Sequence, residues 1–368
     1  MDACPVDAIT MEMADDTFTY PKVNREKCRR CGRCEVVCRE ASNSTLRPHL
    51  DCFAAVTNDQ GSFALSSSGG AFSVIVAAVY AQCKESHQRL FVAGVTYLDS
   101  LKVGHDIVEY RNADSIQCFC SSKYVQSDAR GIYRRVASLL NDSANFVVFS
   151  GTPCQAAGLY SFLNDHPKNL FVIDLLCHGA PSQYMFDKYK KGFEIARRTT
   201  IKSYRFRCKE RLDNGTKYTR SVRIELADGR VLRLSRLEDD YLRLFYSKLP
   251  KLRESCVTCS FKNESRIGDI TIGDAWGIDK IHAELHPTEG VSLVLPISDR
   301  ALRLMPYITE HMTVYPCLLK DVMTENSFAV ESKNDVMDER SQASFYCDMR
   351  NDDLNFEEVI EKWKKVVK

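Results

Sequence analysis

Cysteines carry the chemistry open to this sequence, and their spacing narrows it. Cys28-x2-Cys31-x2-Cys34-x3-Cys38 is a compact run whose first three thiolates can converge on one face of an iron–sulfur cube. Structural zinc also takes four thiolates, but spacings this short and without histidine match the cluster pattern. Cys4-Pro5 reads as the close of an earlier run of the same kind, whose first three cysteines are absent. Met1 falls in mid-motif, so a truncated run is the expectation. Where two such runs pair, the fourth cysteine of each ligates the other cluster. Cys4, Cys28, Cys31 and Cys34 are therefore the expected ligands of one [4Fe–4S] cluster, and Cys38 is left over.

A second set is scattered. Cys154 follows an apolar stretch at Gly151-Thr152-Pro153-Cys154-Gln155, Cys177 follows another at Cys177-His178-Gly179, and Cys256-x2-Cys259 sits in a polar loop. In an α/β sheet, residues just past the carboxyl ends of strands gather in one crevice. Two strand-end cysteines and one CxxC pair make a four-thiolate set suited to a second [4Fe–4S] cluster, and four thiolates also suit zinc. Cys52, Cys83, Cys118, Cys120, Cys208, Cys317 and Cys347 show no comparable motif and read as structural thiols. His178 reads as a hydrogen-bonded structural histidine, with a proton relay as the functional alternative.

The elements that must position these residues follow from pattern. Ala8–Met13 and Thr17–Val23 read as a hairpin that carries Cys4 back toward Cys28. Asn145–Ser150, Asn169–Leu176 and Asp269–Gly273 read as apolar strands that deliver Cys154, Cys177 and the Asp274-Ala275-Trp276-Gly277 segment. Ser66-Ser67-Ser68-Gly69-Gly70-Ala71 opens an apolar helical stretch ending near Cys83, where backbone N–H groups can hold phosphate or hydroxyls can simply cap the helix. Ser221–Leu226 and Arg230–Ser235 flank Asp228-Gly229, a hairpin signal, with further strand character at Ile201–Arg207 and Lys217–Thr219. The alternating Arg205, Arg207, Lys209 and Arg211 read as the exposed face of that β segment, with docking of an acidic protein or anionic substrate as the alternative. Gly290–Ile297 reads as a buried strand, Arg300–Glu310 as a helix, and Asn355–Lys368 as an amphipathic helix with a basic end.

Taken in order, Ser66–Phe72, Ser122-Lys123-Tyr124-Val125-Gln126-Ser127, Gly151–Gln155, Cys177–Gly179, Cys256–Cys259 and Asp269–Gly277 resemble the coenzyme F420 hydrogenase/dehydrogenase beta subunit family over roughly residues 50 to 300. The resemblance implies FAD in the α/β core, a [4Fe–4S] cluster on Cys154, Cys177, Cys256 and Cys259, and hydride exchange with a soluble acceptor, coenzyme F420 or another small substrate. It places Ser68, Gly69, Gly70, Lys123 and Thr152 against FAD. The fold class expected is a ferredoxin-like module followed by a flavin-binding α/β core with an inserted β segment. The boundaries expected are 1–45 for the ferredoxin-like module, 46–145 and 146–310 for the two parts of the core, and 311–368 for a C-terminal extension.

Length and composition set the outer limits. The chain has 368 residues, 50 Lys plus Arg against 49 Asp plus Glu, and 16 cysteines. It is long enough for two or three domains, and its charge balance gives no cue for nucleic acid or an anionic membrane. Its longest apolar run, Ala71–Tyr80, is far short of the roughly 20 residues that span a bilayer. A cytoplasmic location follows as the expectation, and so many closely spaced thiols then point to ligation rather than disulfides. The function expected is an iron–sulfur flavoprotein oxidoreductase that exchanges electrons with ferredoxin or another redox protein. The alternative is an electron-transfer adaptor of a larger complex without a substrate pocket.

Overall fold

The structure is a computed structural model and describes residues 1–42, 44–210, 221–323 and 337–365. It opens on an antiparallel hairpin, β1 (Ile9–Met13) and β2 (Thr19–Val23), with Ile9 opposite Val23. A helix at Arg33–Ser42 follows. The main sheet has eight strands: β3 (Phe53–Thr57), β4 (Arg89–Tyr97), β5 (Val103–Glu109), β6 (Asn145–Gly151), β7 (Leu170–Leu175), β11 (Ile270–Asp274), β12 (Ser292–Pro296) and β13 (Met312–Pro316). A separate three-stranded sheet is made by β8 (Ile201–Cys208), β9 (Ser221–Leu226) and β10 (Val231–Ser235).

Strand order in the main sheet is β13-β3-β12-β11-β7-β6-β4-β5. The pairs β4–β6, β6–β7 and β7–β11 are parallel, and β12 is antiparallel to both β11 and β3. Thus β3, β4, β6, β7 and β11 all end on the same edge. This mixed α/β core agrees with the expected class. The period of two sends successive side chains to opposite faces. On β6, Val148 packs with Ile75, Val79 and Ile173 under the helix Ala71–Glu85, while Val147 and Phe149 pack with Val136 and Leu159 under the helices Ile132–Leu140 and Pro153–Leu163. Helices cover both faces, which is why these strands read as unbroken apolar runs.

The small sheet has its own aromatic core, Phe186, Tyr189, Tyr204, Phe206 and Tyr241, closed by Phe356 and Trp363 of the helix Phe356–Lys364. The Asp228-Gly229 turn forms as expected, with Gly229 at φ 90°. Three expectations shift. The helix at Arg300–Glu310 is two pieces, Asp299–Leu302 and Met305–His311, because Pro306 in the first turn of the second piece has no N–H to continue the ladder. The C-terminal helix ends at Lys364, and the buried strand starts at Ser292, after Gly290 at φ 106°. The strand character expected at Lys217–Thr219 and the charge at Arg211 lie outside the described residues. No helix among the described residues is long and apolar enough to cross a membrane.

Candidate functional site

The common edge of the five like-directed strands gathers the residues singled out in the sequence. β6 runs into Cys154 at the start of the helix Pro153–Leu163, β7 into Cys177, β11 into Asp274 and Trp276, and β3 toward the Ser66–Gly70 turn.

The four core cysteines are mutual neighbours. Burial pushes the Cys177 thiol up to about 12, and Cys154, Cys256 and Cys259 add to the push. Cys256 is pushed up to about 11 by burial and then by Cys154 and Cys259. Cys154 keeps an opening to solvent, yet the protein around it and Cys259 also raise it. The turn after β7 is shaped for this approach: Gly179 has φ +90°, and a Cβ there would stand 3.4 Å from Cys256 Cβ. Cys177 Sγ accepts from the Gly179 amide at 3.3 Å. Arg266 holds the loop after the CxxC pair. Its guanidinium is fully buried against Asp174 at 3.2 Å and donates to the carbonyls of Leu175 (2.8 Å) and Asn263 (3.2 Å).

Among the described residues, no three His, Cys, Asp or Glu side chains converge tightly enough to chelate a single ion. A tetrahedral zinc site needs its sulfurs about 3.8 Å apart, from the Zn–S length of about 2.3 Å. A four-iron cube takes one thiolate per iron and spreads them wider. Four neighbouring thiols are a donor set that either centre can use.

At the N-terminus, Cys4 is buried with Ala8 and Ile9, and Cys28 and Cys34 pack against that cluster. Cys4 Sγ accepts from the Ala8 amide at 3.2 Å, and backbone donors at Val6 and Ala8 lower its thiol pKa. Cys31 is exposed. This segment is tied to the core at several points. Arg134 donates to the carbonyls of Asp2 (2.7 Å) and Cys4 (2.5 Å), Asp2 accepts from the amides of Gly131 and Tyr133, and Ser161 donates to Val37 O at 2.6 Å. Arg253, three residues before Cys256, lies over Tyr20 and donates to Thr19 O at 2.6 Å.

The residues expected to face a flavin are mostly engaged within the protein. Ser68 Oγ donates to Val291 O at 2.9 Å. A Cβ at Gly69 would lie 2.1 Å from Ala55 O and 2.6 Å from Ser292 N, so this glycine is required by the turn's seat on β3 and β12. Gly70, at φ +88°, precedes the helix Ala71–Glu85 without a side-chain cap. Lys123 Nζ donates to Val95 O (2.9 Å) and Cys118 O (2.6 Å), and burial lowers it to about 8. Thr152 donates through amide and hydroxyl to Gln155 Oε1, both at 3.0 Å, and its hydroxyl lies 3.2 Å from Cys154 Sγ.

A buried cation also stands in this corner. Arg207, expected on an exposed face, is 3% exposed. Its Nη1 donates to Asp274 Oδ2 at 2.6 Å, the guanidinium lies 5.8 Å from the Trp276 ring centre, and among the described residues Nε and Nη2 have no hydrogen-bond partner. Lys209, two residues on, donates to Ser68 O, Phe63 O and Ser66 Oγ, and is lowered to about 7 by burial and by Arg207. The exposed-strand reading is corrected here because β8 turns this face inward against the Ser66–Gly70 turn. Alternation along β8 could not reveal it, since the partner Asp274 is 67 positions away. These two guanidinium nitrogens of Arg207 are donors of the kind that bind a phosphate, as is the start of the 15-residue helix Ala71–Glu85, which has no side-chain cap.

Two cavities, of about 360 and 410 Å³, lie at the opposite edge, around Arg47, Leu170, Ser298 and Arg300, and hold none of these residues.

Residues 145–315 match the family described as the C terminus of the coenzyme F420 hydrogenase/dehydrogenase beta subunit. The fold is similar to a chain in the structure titled "Xenon derivatization of the F420-reducing [NiFe] hydrogenase complex from Methanosarcina barkeri", with a TM-score of 0.51 and 15% identity, over 78% of this chain and 89% of that one. No curated protein matches the chain.

Proposed function

We propose, from the membership of residues 145–315 in the coenzyme F420 hydrogenase/dehydrogenase beta subunit family, that this chain is an iron–sulfur flavoprotein oxidoreductase. In this reading it passes electrons between [4Fe–4S] clusters and FAD and exchanges hydride with coenzyme F420 or another small acceptor. Family membership supports the redox class. The observation that carries the finer reading is the meeting of Cys154, Cys177, Cys256 and Cys259 on one sheet edge, with the Cys4/Cys28/Cys34 segment bonded to the helices beside it.

In this reading Cys4, Cys28, Cys31 and Cys34 hold one cluster and the four core cysteines a second. Arg207, with the start of the helix Ala71–Glu85, receives the FAD phosphates, and Lys209 holds the turn before that helix through Phe63 O, Ser66 Oγ and Ser68 O. The Ser66–Gly70 turn positions that helix start, and Lys123 and Thr152 hold the surrounding backbone. When bound, the clusters supply one-electron steps and the flavin joins them to two-electron chemistry. Arg207 supplies fixed positive charge, and Arg266 keeps the CxxC loop against β7.

A second reading is an electron-transfer subunit with no substrate site of its own, favoured by the likeness to a chain from a multi-subunit hydrogenase complex.

The test starts from anaerobically reconstituted protein, expected to hold about eight irons in two four-iron clusters and one FAD. Cys259→Ala should keep FAD, lose the core cluster's iron, and fail to reduce its flavin from reduced ferredoxin while still accepting hydride from the acceptor side. Stopped-flow absorbance with each reductant in turn reads this out. Equal loss with both reductants would make the core cysteines a structural clip. Flavin that no small acceptor oxidises would favour the second reading.

A further inference from the structure

Two cysteines outside both clusters form a pair. Cys52 stands immediately before β3 and Cys317 immediately after β13. Those strands are antiparallel with Phe53 opposite Pro316, so the register sets Cys52 opposite Cys317. The Cys317 amide donates to Cys52 O at 3.3 Å, and the two sulfurs are 3.6 Å apart. Directly opposed residues of an antiparallel pair have Cα atoms about 4.5–5.5 Å apart, inside the range of about 4.4–6.8 Å that a disulfide bridges. Closing the bond to about 2.05 Å therefore needs side-chain rotation and no backbone rearrangement. The pair is unequal in access: Cys52 is 6% exposed, Cys317 is half-buried, and Ala275, Ile278, Leu319 and Val322 pack around them.

We propose that Cys52 and Cys317 are a redox-active dithiol that closes to a disulfide by exchange with a small-molecule disulfide. Cys317, the reachable sulfur, attacks as thiolate, forming a mixed disulfide and releasing one small thiol. Cys52 then gives up its proton and attacks Cys317 Sγ, and the second small thiol leaves. Two protein thiols are oxidised and one external disulfide is reduced, so electrons balance. The hydrogen bond between the thiols favours this order, since Cys317 is lowered by Cys52 while Cys52 is raised.

The bond would tie β13, the edge strand of the main sheet, to β3 across a separation of 265 residues. β3 runs from this pair to Thr57, whose amide donates to Gly69 O at 2.8 Å. The dithiol therefore anchors the far end of the strand that carries the Ser66–Gly70 turn, and it stands at the opposite sheet edge from both cysteine sets. No ligand is needed for it to act, so it does not depend on the flavin reading.

The experiment uses the full reconstituted chain. Reduced protein is equilibrated anaerobically with glutathione at graded ratios of oxidised to reduced form, acid-quenched, alkylated, digested and mapped by mass spectrometry. The expected product is a Cys52–Cys317 cross-linked peptide pair, lighter by two hydrogens, reversed by dithiothreitol and formed with iron content unchanged. Exposed Cys347 reports ordinary thiol reactivity in the same digest. Oxidation should also raise Tm by a few degrees, as closing a long loop does, and Cys317→Ser should lose that shift. Both thiols remaining alkylatable at ratios that glutathionylate Cys347 would overturn the proposal, as would a Cys317 adduct that Cys52 never resolves. The wild-type peptide map decides even if Cys317→Ser fails to fold.

Discussion

The sharpest test of the phosphate corner is Arg207→Lys. In the wild type, one nitrogen of the buried guanidinium serves Asp274 at 2.6 Å and two have no hydrogen-bond partner among the described residues. An unmet buried donor costs about 1–3 kcal/mol, and a hydrogen bond to a charged group contributes about 1.5–3 kcal/mol. A lysine ammonium can keep Asp274, but it lacks the planar fork that would reach a second anion. The unliganded fold should therefore lose little, because the change discards two unsatisfied donors while keeping the ion pair. FAD binding should weaken by about 1.5–3 kcal/mol, or about 10- to 150-fold in Kd. Flavin fluorescence titration of the apoprotein gives the Kd, and a thermal melt without FAD gives the stability. A structural ion pair predicts the reverse. If Kd stays within about twofold while Tm falls by several degrees, Arg207 holds Asp274 and nothing else, and the phosphate assignment is wrong.

Further outcomes test other parts of the argument. Cys4→Ser should destabilise the N-terminal cluster and Cys38→Ser should leave iron content unchanged; the opposite pattern would mean that the contiguous run alone ligates it. Arg266→Met strands the fully buried Asp174 carboxylate and should cost about 3–5 kcal/mol in urea unfolding of the apoprotein, with more than half recovered on adding Asp174→Asn. A loss under about 1 kcal/mol would refute it. Asp239 is buried and raised to about 6 by burial, while Tyr189, Tyr204 and the Leu242 amide donate to it. A raised folded pKa adds stability that is full below about pH 4 and is lost as pH rises through 6. Asp239→Asn keeps an acceptor at this helix start. Relative to wild type, its unfolding free energy should fall less between pH 4.5 and 7.5, by about 2 kcal/mol; identical pH slopes would exclude this group.

How much was legible followed from range. The hairpin at Ile9–Val23, the strands ending at Cys154 and Cys177, and the Asp228-Gly229 turn depend on neighbours within a few positions, so periodicity and turn residues found them. β3 and β13 did not show: Phe53-Ala54-Ala55-Val56-Thr57 and Met312–Pro316 are short, and their pairing spans more than 250 positions. That omission also hid why Gly69 is a glycine, since the groups it must clear, Ala55 O and Ser292 N, belong to β3 and β12. Arg207 was misplaced for the same reason. A charged residue alternating with Phe206 and Cys208 looks solvent-facing until the strand is packed against a turn some 140 positions earlier in the chain. Cys52 and Cys317 were passed over as isolated thiols because only β3–β13 pairing makes them opposite.

The contacts between the N-terminal segment and the core bear on the proposed electron route. A single exposed ion pair such as Arg134–Asp7 contributes at most about 1 kcal/mol and would not fix a geometry. Arg134 does more, because it also binds the Asp2 and Cys4 carbonyls while Asp2 caps the start of Arg134's own helix through the amides of Gly131 and Tyr133. These bonds constrain the backbone of the Cys4 turn itself, not just a side chain on it. Ser161 makes an equivalent tie to Val37, on the helix that carries Cys34, from the helix Pro153–Leu163 that carries Cys154 in its first turn. Arg253 ties β2 to the segment leading into Cys256. Of these ties, Ser161–Val37 joins an element of each proposed ligand set directly, while Arg134 reaches the Cys4 turn from the helix Ile132–Leu140 and Arg253 reaches β2 from the segment before Cys256. Electron passage between two centres depends on a fixed separation, and three independent ties to three cysteine-bearing segments meet that requirement better than a flexible linker would.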